Sequence, residues 1–273
     1  MKRIVFNIIV LSLLLAVGAD AVYAAESAII IHKDQANEGL LKITYRQQPV
    51  DAVHKLLVDK DGQRYTYDLL HGKELQNFPL QMGNGQYTIR VAELVEGTRF
   101  KEIMQETVTV VLANDKDPYL HSVQEIAWHA DNEAVKVAER LAKEMSGRYD
   151  KANVVYEIYS FIIYNIQYDY EKVNVVQAGY LPDIDQTLTD RKGICYDYAS
   201  LFAAMLRSQG IPAKMVKGYA PNILTYHAWN EVYVETIDRW VTIDTVHDAI
   251  MLSNNIKTTI EKDKALFKIE SEL

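Results

Sequence analysis

Short apolar runs separated by turn residues characterise the first part of the sequence. Residues 28–31 and 108–112 have the composition of β-strands. Two turn signals lie between such runs, at residues 61–62 and 83–85, and both are typical of hairpins. The pattern predicts roughly six short strands. We expect them to form a small immunoglobulin-like β-sandwich over residues 26–115.

Helical periodicity replaces this pattern after Pro118. Apolar residues recur at helical spacing from Ala134 to Met145, and residues 146–147 (Ser-Gly) are a stop signal. A second helix is predicted to begin near Asp150. The polar residues just before Pro118 mark the expected boundary between two domains.

The last part of the chain combines one more helix with strands. A helix is predicted over residues 195–209, because Gly210 and Pro212 follow it as stop signals. Strands are then predicted over residues 213–219, 227–235 and 240–246. Helices packed on an antiparallel sheet make residues 118–273 an α+β domain.

The first 24 residues have the pattern of a secretory signal peptide. Lys2 and Arg3 precede an apolar stretch over residues 4–17, and small residues follow up to Ala25. The preferred interpretation is cleavage before Ala25, with an earlier site after Ala21 as an alternative. The stretch is short for a membrane span, so a retained anchor helix is the second interpretation. We therefore expect the mature protein to be secreted or located at the cell surface.

Composition excludes several classes of function. Hydrophobic residues make up 49% of the chain and charged residues 24%, which is ordinary for a globular protein. The formal net charge of −8 gives no indication of nucleic-acid binding. No segment after the predicted signal peptide approaches the length of a membrane span. Tyrosine is abundant, with 18 copies, and fits either a peptide- or sugar-binding cleft or plain β-structure.

Cys195 is the single cysteine of the chain and cannot form an internal disulfide. It is predicted to lie at a helix N-terminus, where unpaired N–H groups stabilise a thiolate and can bind an oxyanion. Gly193, two residues earlier, removes a side chain from the approach to the thiol. The alternative is an inert buried thiol, which is common for a free cysteine.

Two further residues complete a candidate catalytic set. His227 opens a predicted strand 32 residues after Cys195 (227 − 195), and Asp244 follows 17 residues later (244 − 227). A hairpin through residues 236–239 would place both at one end of the sheet, although its register is left open. A thiolate needs a base, and the base needs an acceptor that orients it.

No metal or cofactor site is predicted. The other six histidines lack metal-ligand spacing, and there is no cysteine pair. Asp183, Asp185 and Asp190 lie in one predicted loop without a calcium-binding pattern, so we interpret this loop as solvated.

Three blocks of the sequence resemble those of the transglutaminase-like superfamily. They are residues 193–213, which contain Cys195, residues 227–232, which begin with His227, and residues 240–244, which end with Asp244. Residues 164–169 resemble the segment that leads into that family's active-site loop. The resemblance covers roughly residues 118–250 and does not reach the predicted sandwich.

The resemblance implies a papain-like core with a Cys195 nucleophile, a His227 base and an orienting Asp244. It leaves the oxyanion hole open, with Gln186, Tyr168 and the Cys195 backbone N–H as candidate donors. Tyr196 stands where many family members carry a smaller or an amide side chain, so it is expected to shape the mouth of the site.

Three functions remain open. The first is acyl transfer from a peptide or protein amide through a Cys195 thioester. The second is hydrolysis of the same thioester by a peptidase or amidase. The third is a surface binding or scaffold protein with an idle triad. The expected partner is a protein or peptide substrate, with cell-surface proteins as one option, and the oligomeric state is left open.

Overall fold

The computed structural model describes residues 29–46, 52–144 and 150–273. The predicted signal peptide, residues 1–24, and the predicted helix stop at residues 146–147 lie outside these ranges. Within them, the protein combines helices with antiparallel sheets, as the sequence predicts.

The N-terminal region forms two antiparallel sheets. Its strands are β1 (Ile29–His32), β2 (Leu40–Tyr45), β3 (His54–Lys60), β4 (Gln63–Leu69), β5 (Leu75–Pro79), β6 (Gly85–Glu96) and β7 (Arg99–Val110). One sheet has the order β1-β2-β5 and the other the order β4-β3-β6-β7. Side chains alternate between core and solvent, as in β4, where Tyr65, Tyr67 and Leu69 are buried.

One of the two predicted hairpin turns is confirmed and the other is wrong. Asp61 and Gly62, both with positive φ, join the paired strands β3 and β4. Residues 83–85 instead connect β5 to β6, which belong to different sheets. The Tyr87 hydroxyl fixes this crossing by donating to the carbonyls of Leu80 and Gly83, at 3.0 and 2.9 Å.

The C-terminal region packs helices on a five-stranded sheet. In chain order its elements are α1 (Glu133–Glu144), α2 (Lys151–Asn165), β8 (Gln167–Tyr168), α3 (Lys172–Val175), α4 (Ile184–Asp190), β9 (Lys192–Gly193), α5 (Cys195–Ser208), β10 (Ala213–Tyr219), β11 (His227–Val234), β12 (Arg239–Ile243), α6 (Thr245–Ser253), β13 (Glu261–Lys262) and β14 (Lys268–Glu272). The sheet order is β13-β12-β11-β10-β14, with antiparallel pairs throughout.

Helix α5 is the central element of this region. All of residues 197–207 are buried, because the helix lies between the sheet and the other helices. The third predicted strand ends at Ile243, earlier than expected, since Asp244 begins helix α6 instead of continuing the strand.

The segment around Pro118 is packed against both regions. Residues 117–120 form a 3-10 helix in which Pro118 and Tyr119 are buried. The Tyr119 hydroxyl donates to Glu272 at 2.9 Å. The buried Arg207 donates from α5 to the carbonyls of His121, Ala213 and Leu273. The predicted domain boundary therefore falls in a connecting segment that is itself packed and hydrogen-bonded. That residues 26–115 and 118–273 are separable units stays a prediction.

No helix in the described ranges has the length and apolarity needed to cross a membrane.

Candidate active site

Cys195 is the first residue of α5, as predicted. The preceding residue, Ile194, has extended backbone angles, and its N–H donates to the Asp197 carboxylate at 2.8 Å. The Cys195 side chain is partly exposed and packs against the core. The thiol therefore sits at the positive end of a long buried helix while remaining open to a reagent.

His227 and Asp244 meet at one end of the sheet. His227 is the first residue of β11 and pairs with Gly218 of β10. Asp244 lies one residue beyond the paired positions Asn230 and Ile243 of β11 and β12. The His227 Nε2 atom lies 2.9 Å from Asp244 Oδ2, and the two residues are only 5% and 2% exposed. The sequence left the register of this hairpin open. The observed register brings the two side chains into contact.

Asp244 is held from a second side by α6. Its Oδ1 atom accepts a hydrogen bond from the His247 backbone N–H at 3.0 Å, so Asp244 is the N-cap of this helix. One carboxylate oxygen caps the helix and the other faces His227. The helix N-terminus therefore orients the carboxylate towards His227.

His227 carries a raised pKa. Burial lowers the pKa of its imidazole, but hydrogen bonds to Asp244 and to the Cys195 thiol outweigh burial and raise it to about 9. Asp244 contacts Nε2, which leaves Nδ1 for Cys195. A positively charged His227 between a thiol and a carboxylate is the arrangement that stabilises a thiolate.

Tyr168 lies beside the nucleophile. It belongs to β8, which pairs with β9 and places Tyr168 next to Gly193. Burial raises the pKa of the Tyr168 phenol, and the charge of Cys195 raises it further. The phenol therefore stays protonated and can act as a hydrogen-bond donor near the thiol.

The structure gives Gly193 a packing role. A Cβ atom there would lie 2.7 Å from the Cβ atom of Asp197 and 3.3 Å from Cγ2 of Thr187. The absence of a side chain thus lets the cap of α5 close tightly. Gln186, in contrast, lies on the exposed face of α4 and donates to Asp190 at 2.7 Å, so we leave it out of the site.

Tyr196 is fixed in place by a charged pair. Its hydroxyl donates to Glu125, which also accepts from Lys217. The Lys217 ammonium lies 4.3 Å from the centre of the Tyr196 ring. Glu125 and Lys217 were missed by sequence reasoning, because they lie 92 residues apart and carry no local motif.

A second charged pair supports the other side of the helix start. Lys172 of α3 lies 2.8 Å from Asp197, which is completely buried, and Tyr180 donates to the same carboxylate at 2.5 Å. These contacts attach the loop after β8 to the first turn of α5. Asp197 also accepts the hydrogen bond from the Ile194 N–H, so this carboxylate caps the helix start as well.

The acidic segment at residues 183–190 is not a loop as predicted, although Asp183 and Asp190 are exposed to solvent as expected. It forms α4, and Asp183 is the N-cap of that helix. Asp185 accepts hydrogen bonds from Asn132 and from the Ala134 backbone at 2.8 and 2.9 Å. These carboxylates are helix caps. Across the described residues, no three His, Cys, Asp or Glu side chains lie together as a metal site.

The fold and site define the class of protein. Residues 139–245 match the family model of the transglutaminase-like superfamily. The matched residues contain Cys195, His227 and Asp244. Members of the superfamily are typically cysteine-dependent proteases or acyltransferases.

Individual relatives are distant. The peptide-N(4)-(N-acetyl-beta-glucosaminyl)asparagine amidase of Drosophila melanogaster is 35% identical over 68 residues, which are 25% of this chain and 10% of that protein. The UPF0252 protein MJ1282 of Methanocaldococcus jannaschii is 26% identical over 145 residues, 50% of this chain and 40% of that protein. The chain thus spans less than half the length of either curated relative.

Among solved structures, a proposed cysteine protease from Cytophaga hutchinsonii has a TM-score of 0.40 at 23% identity. The match covers 59% of this chain and 53% of that chain.

Proposed function

We propose that this protein is an exported cysteine-dependent acyltransferase that acts on peptide or protein amides through a thioester on Cys195. The observation that carries the proposal is the contact of His227 Nε2 with Asp244 Oδ2 at 2.9 Å, beside a Cys195 thiol that also raises the pKa of His227. The match to the family model of the transglutaminase-like superfamily supports it.

The first half of the reaction follows from this arrangement. The Cys195 thiolate attacks the amide carbonyl carbon, a C–S bond forms, and the carbonyl electron pair moves onto oxygen. The Cys195 backbone N–H and the Tyr168 hydroxyl are the proposed donors to this oxyanion. When the C–N bond breaks, protonated His227 gives its proton to the leaving nitrogen. Asp244 orients His227 throughout and does not itself take the proton.

The second half decides between transfer and hydrolysis. In transfer, an incoming amine attacks the thioester carbonyl and gives a proton to neutral His227, and the C–S bond breaks to release the Cys195 thiolate and the new amide. In hydrolysis, His227 accepts a proton from water. One observation favours hydrolysis as the second candidate function, because the relative from Drosophila melanogaster is named as an amidase.

Export is part of the proposal. Support comes from the basic, apolar and small-residue pattern of residues 1–24. The expected mature chain begins at Ala25. N-terminal sequencing of protein recovered outside the cytoplasm tests this, and a chain that retains residues 1–24 would support the anchor interpretation instead.

The activity is tested by trapping the thioester. The protein is incubated with glutamine- and asparagine-containing peptides, quenched in acid and analysed by intact mass. We expect an acyl adduct on Cys195 that is absent in Cys195→Ala. Adding a dansylated alkylamine then distinguishes the two outcomes, since transfer labels the peptide and hydrolysis leaves a free carboxylate. No adduct with any peptide would favour the idle-scaffold alternative.

A further inference from the structure

A completely buried carboxylate lies close to the proposed nucleophile. Asp197 has no exposed surface, and its Oδ2 atom accepts a hydrogen bond from the Ile194 N–H at 2.8 Å. Ile194 directly precedes Cys195, and the Cα atoms of neighbouring residues are only about 3.8 Å apart. Gly193 leaves room for the carboxylate, since a Cβ atom there would lie 3.2 Å from the same oxygen. A negative charge is therefore held near the backbone of Cys195.

This charge opposes the effect of the helix on the thiol. The N-terminus of α5 acts like about half of a positive charge, which favours a thiolate. A carboxylate carries a full negative charge, so an unpaired Asp197 would outweigh the helix and favour the neutral thiol. A cap formed by Asp197 alone would thus work against the proposed reaction.

Lys172 of α3 supplies the compensating charge. Its Nζ atom lies 2.8 Å from Asp197 Oδ2, the same oxygen that caps α5. Lys172 is the one cation that contacts Asp197 in the part of the chain that the structure describes. Burial alone would lower the pKa of Lys172, but its hydrogen bonds to Asp197 and Tyr180 raise it, so the ammonium group stays charged.

Tyr180 holds this ion pair in place. Its hydroxyl donates to Asp197 Oδ1 at 2.5 Å and accepts from Lys172 Nζ at 2.7 Å. The Lys172 ammonium also lies 4.5 Å from the centre of the Tyr180 ring. Burial and the hydrogen bond to Asp197 raise the pKa of Tyr180 to about 12, so its hydroxyl remains a donor. Both carboxylate oxygens are therefore bonded, and the position of the ammonium group is fixed.

The other charges around the start of α5 are already paired or exposed. His227 is bonded to Asp244, and Glu125 is paired with Lys217. Tyr168 lies beside Gly193 as a neutral phenol. The charged side chains at the ends of β9 and α4 face solvent, where they are screened, and these are Lys192 and Asp190. Lys172 is thus the charge that balances Asp197.

We propose that Lys172 is a positioning residue of the reaction, which neutralises Asp197 so that this carboxylate caps α5 without repelling the Cys195 thiolate. The inference rests on the proposed function, because it requires Cys195 to react as a thiolate. Lys172 acts through Asp197 and not on the reacting atoms. With the pair intact, the positive end of the helix decides the sign of the field at the thiol.

The pH dependence of alkylation tests the sign of this effect. The single thiol is alkylated with iodoacetamide over a series of pH values, and the midpoint of the rate profile is compared between folded variants. We expect Lys172→Met to raise the midpoint by about one pH unit, because it leaves the buried carboxylate unpaired. Asp197→Asn should lower the midpoint, because it leaves the ammonium group unpaired. Lys172→Arg should keep the wild-type midpoint.

The double variant Lys172→Met/Asp197→Asn separates charge compensation from simple anchoring. It removes both charges, so the midpoint should return to that of wild type although the ion pair between α3 and α5 is still lost. A midpoint as high as in Lys172→Met would overturn the proposal and leave Lys172 as an anchor of its loop. If Lys172→Met does not fold, Asp197→Asn decides alone, since a midpoint that does not fall would also overturn it.

Lys262→Met is the matched control, because Lys262 pairs with the completely buried Asp248 at 2.6 Å. It should lower the thermal stability as Lys172→Met does but leave the alkylation midpoint unchanged, and an equal shift in both variants would contradict the proposal. Acyl-adduct formation at neutral pH should be about tenfold slower in Lys172→Met. Since alkylation needs no substrate, a wild-type chain that forms no acyl adduct would refute the proposed function separately.

Discussion

The two regions of the molecule each bury a histidine, and the two imidazoles are perturbed in opposite directions. In the N-terminal region, His54 contacts the Tyr45 hydroxyl at 2.8 Å, and burial lowers its pKa despite the charge of Glu93. In the C-terminal region, His227 is also buried, yet its contacts with Asp244 and Cys195 raise its pKa to about 9. Burial alone therefore does not set the charge of a histidine; the partner does.

The same contrast extends to the surrounding cores. Among the described residues, the buried carboxylates are Asp197, Glu231, Asp244 and Asp248, and all lie in the C-terminal region. Buried polar residues of the N-terminal region are uncharged Thr and Gln side chains and His54. A buried carboxylate is costly unless it is paired, so its presence indicates a region where charge is held for chemistry or for positioning.

The largest expected effect is on the reaction rate, and it should differ between substitutions of the two histidines. His227→Gln should lower the rate of acyl-adduct formation by roughly 10³–10⁶-fold, because the base and the partner of the thiolate are both lost. His54→Gln should change the free energy of unfolding while leaving the rate of the folded enzyme within about twofold. Single-turnover kinetics by intact mass measure both. Equal losses of rate would remove the functional distinction between the regions.

Asp244→Asn should have the next largest effect. We expect a loss of roughly 10²–10⁴-fold in rate, since a neutral amide orients His227 less well and stabilises its charged form less. Asparagine is also a good N-cap, so α6 should remain folded. Asp248→Asn is the control, because it perturbs α6 without touching His227. A rate near that of wild type for Asp244→Asn would mean that another group positions the base.

The two histidines should also give opposite pH dependences of stability. The folded pKa of His227 lies above its unfolded value of 6.5, so its stabilisation is complete below about pH 6.5 and is lost as pH rises through about 9. The folded pKa of His54 lies below 6.5, so stability falls as pH drops below that value.

Urea unfolding at several pH values measures these contributions, which we expect to be about 1–3 kcal/mol for His227. His227→Gln should flatten the loss of stability between pH 6.5 and 9 relative to wild type, and His54→Gln should flatten the loss on the acid side. If His227→Gln leaves the alkaline slope unchanged, the raised pKa is not a feature of the folded protein.

The smallest expected effects come from substituting two glycines, one in each region. Gly193→Ala would force a Cβ atom against Asp197, so we expect a destabilisation of about 1–3 kcal/mol together with a lower rate. Gly62→Ala lies in open space but at a φ of +83°, so it should cost about 1 kcal/mol and leave the rate unchanged. Thermal unfolding and single-turnover rates measure both. An unchanged rate in Gly193→Ala would mean that the cap of α5 does not position Cys195.

The sequence predicted the elements whose periodicity is strong. Helix α5 and the strands β10 and β11 were found because apolar spacing and stop signals define them, and Cys195 and His227 lie at their ends. Helix α6 was missed, since the apolar alternation of β12 continues through Val246 and hides the cap at Asp244. A short helix carries too little periodicity to override that pattern.

Ion pairs between residues far apart in the sequence could not be predicted in the same way. Lys172 contacts Asp197 and Glu125 contacts Lys217 only because α3, β10 and the segment around residue 125 come together near the start of α5. Neither pair has a spacing that local structure would impose. Gln186 was a reasonable candidate by position alone, but the structure turns it outward on α4.

The central claim is that His227 and Cys195 form a reactive pair in the folded protein, and the single thiol allows a direct test. The rate of alkylation by iodoacetamide is measured at about pH 6, where a free thiol is almost fully protonated. The same chain unfolded in urea and the folded His227→Gln variant serve as references. The account predicts that the folded wild type reacts at least about tenfold faster than either reference. Equal rates in all three would contradict it.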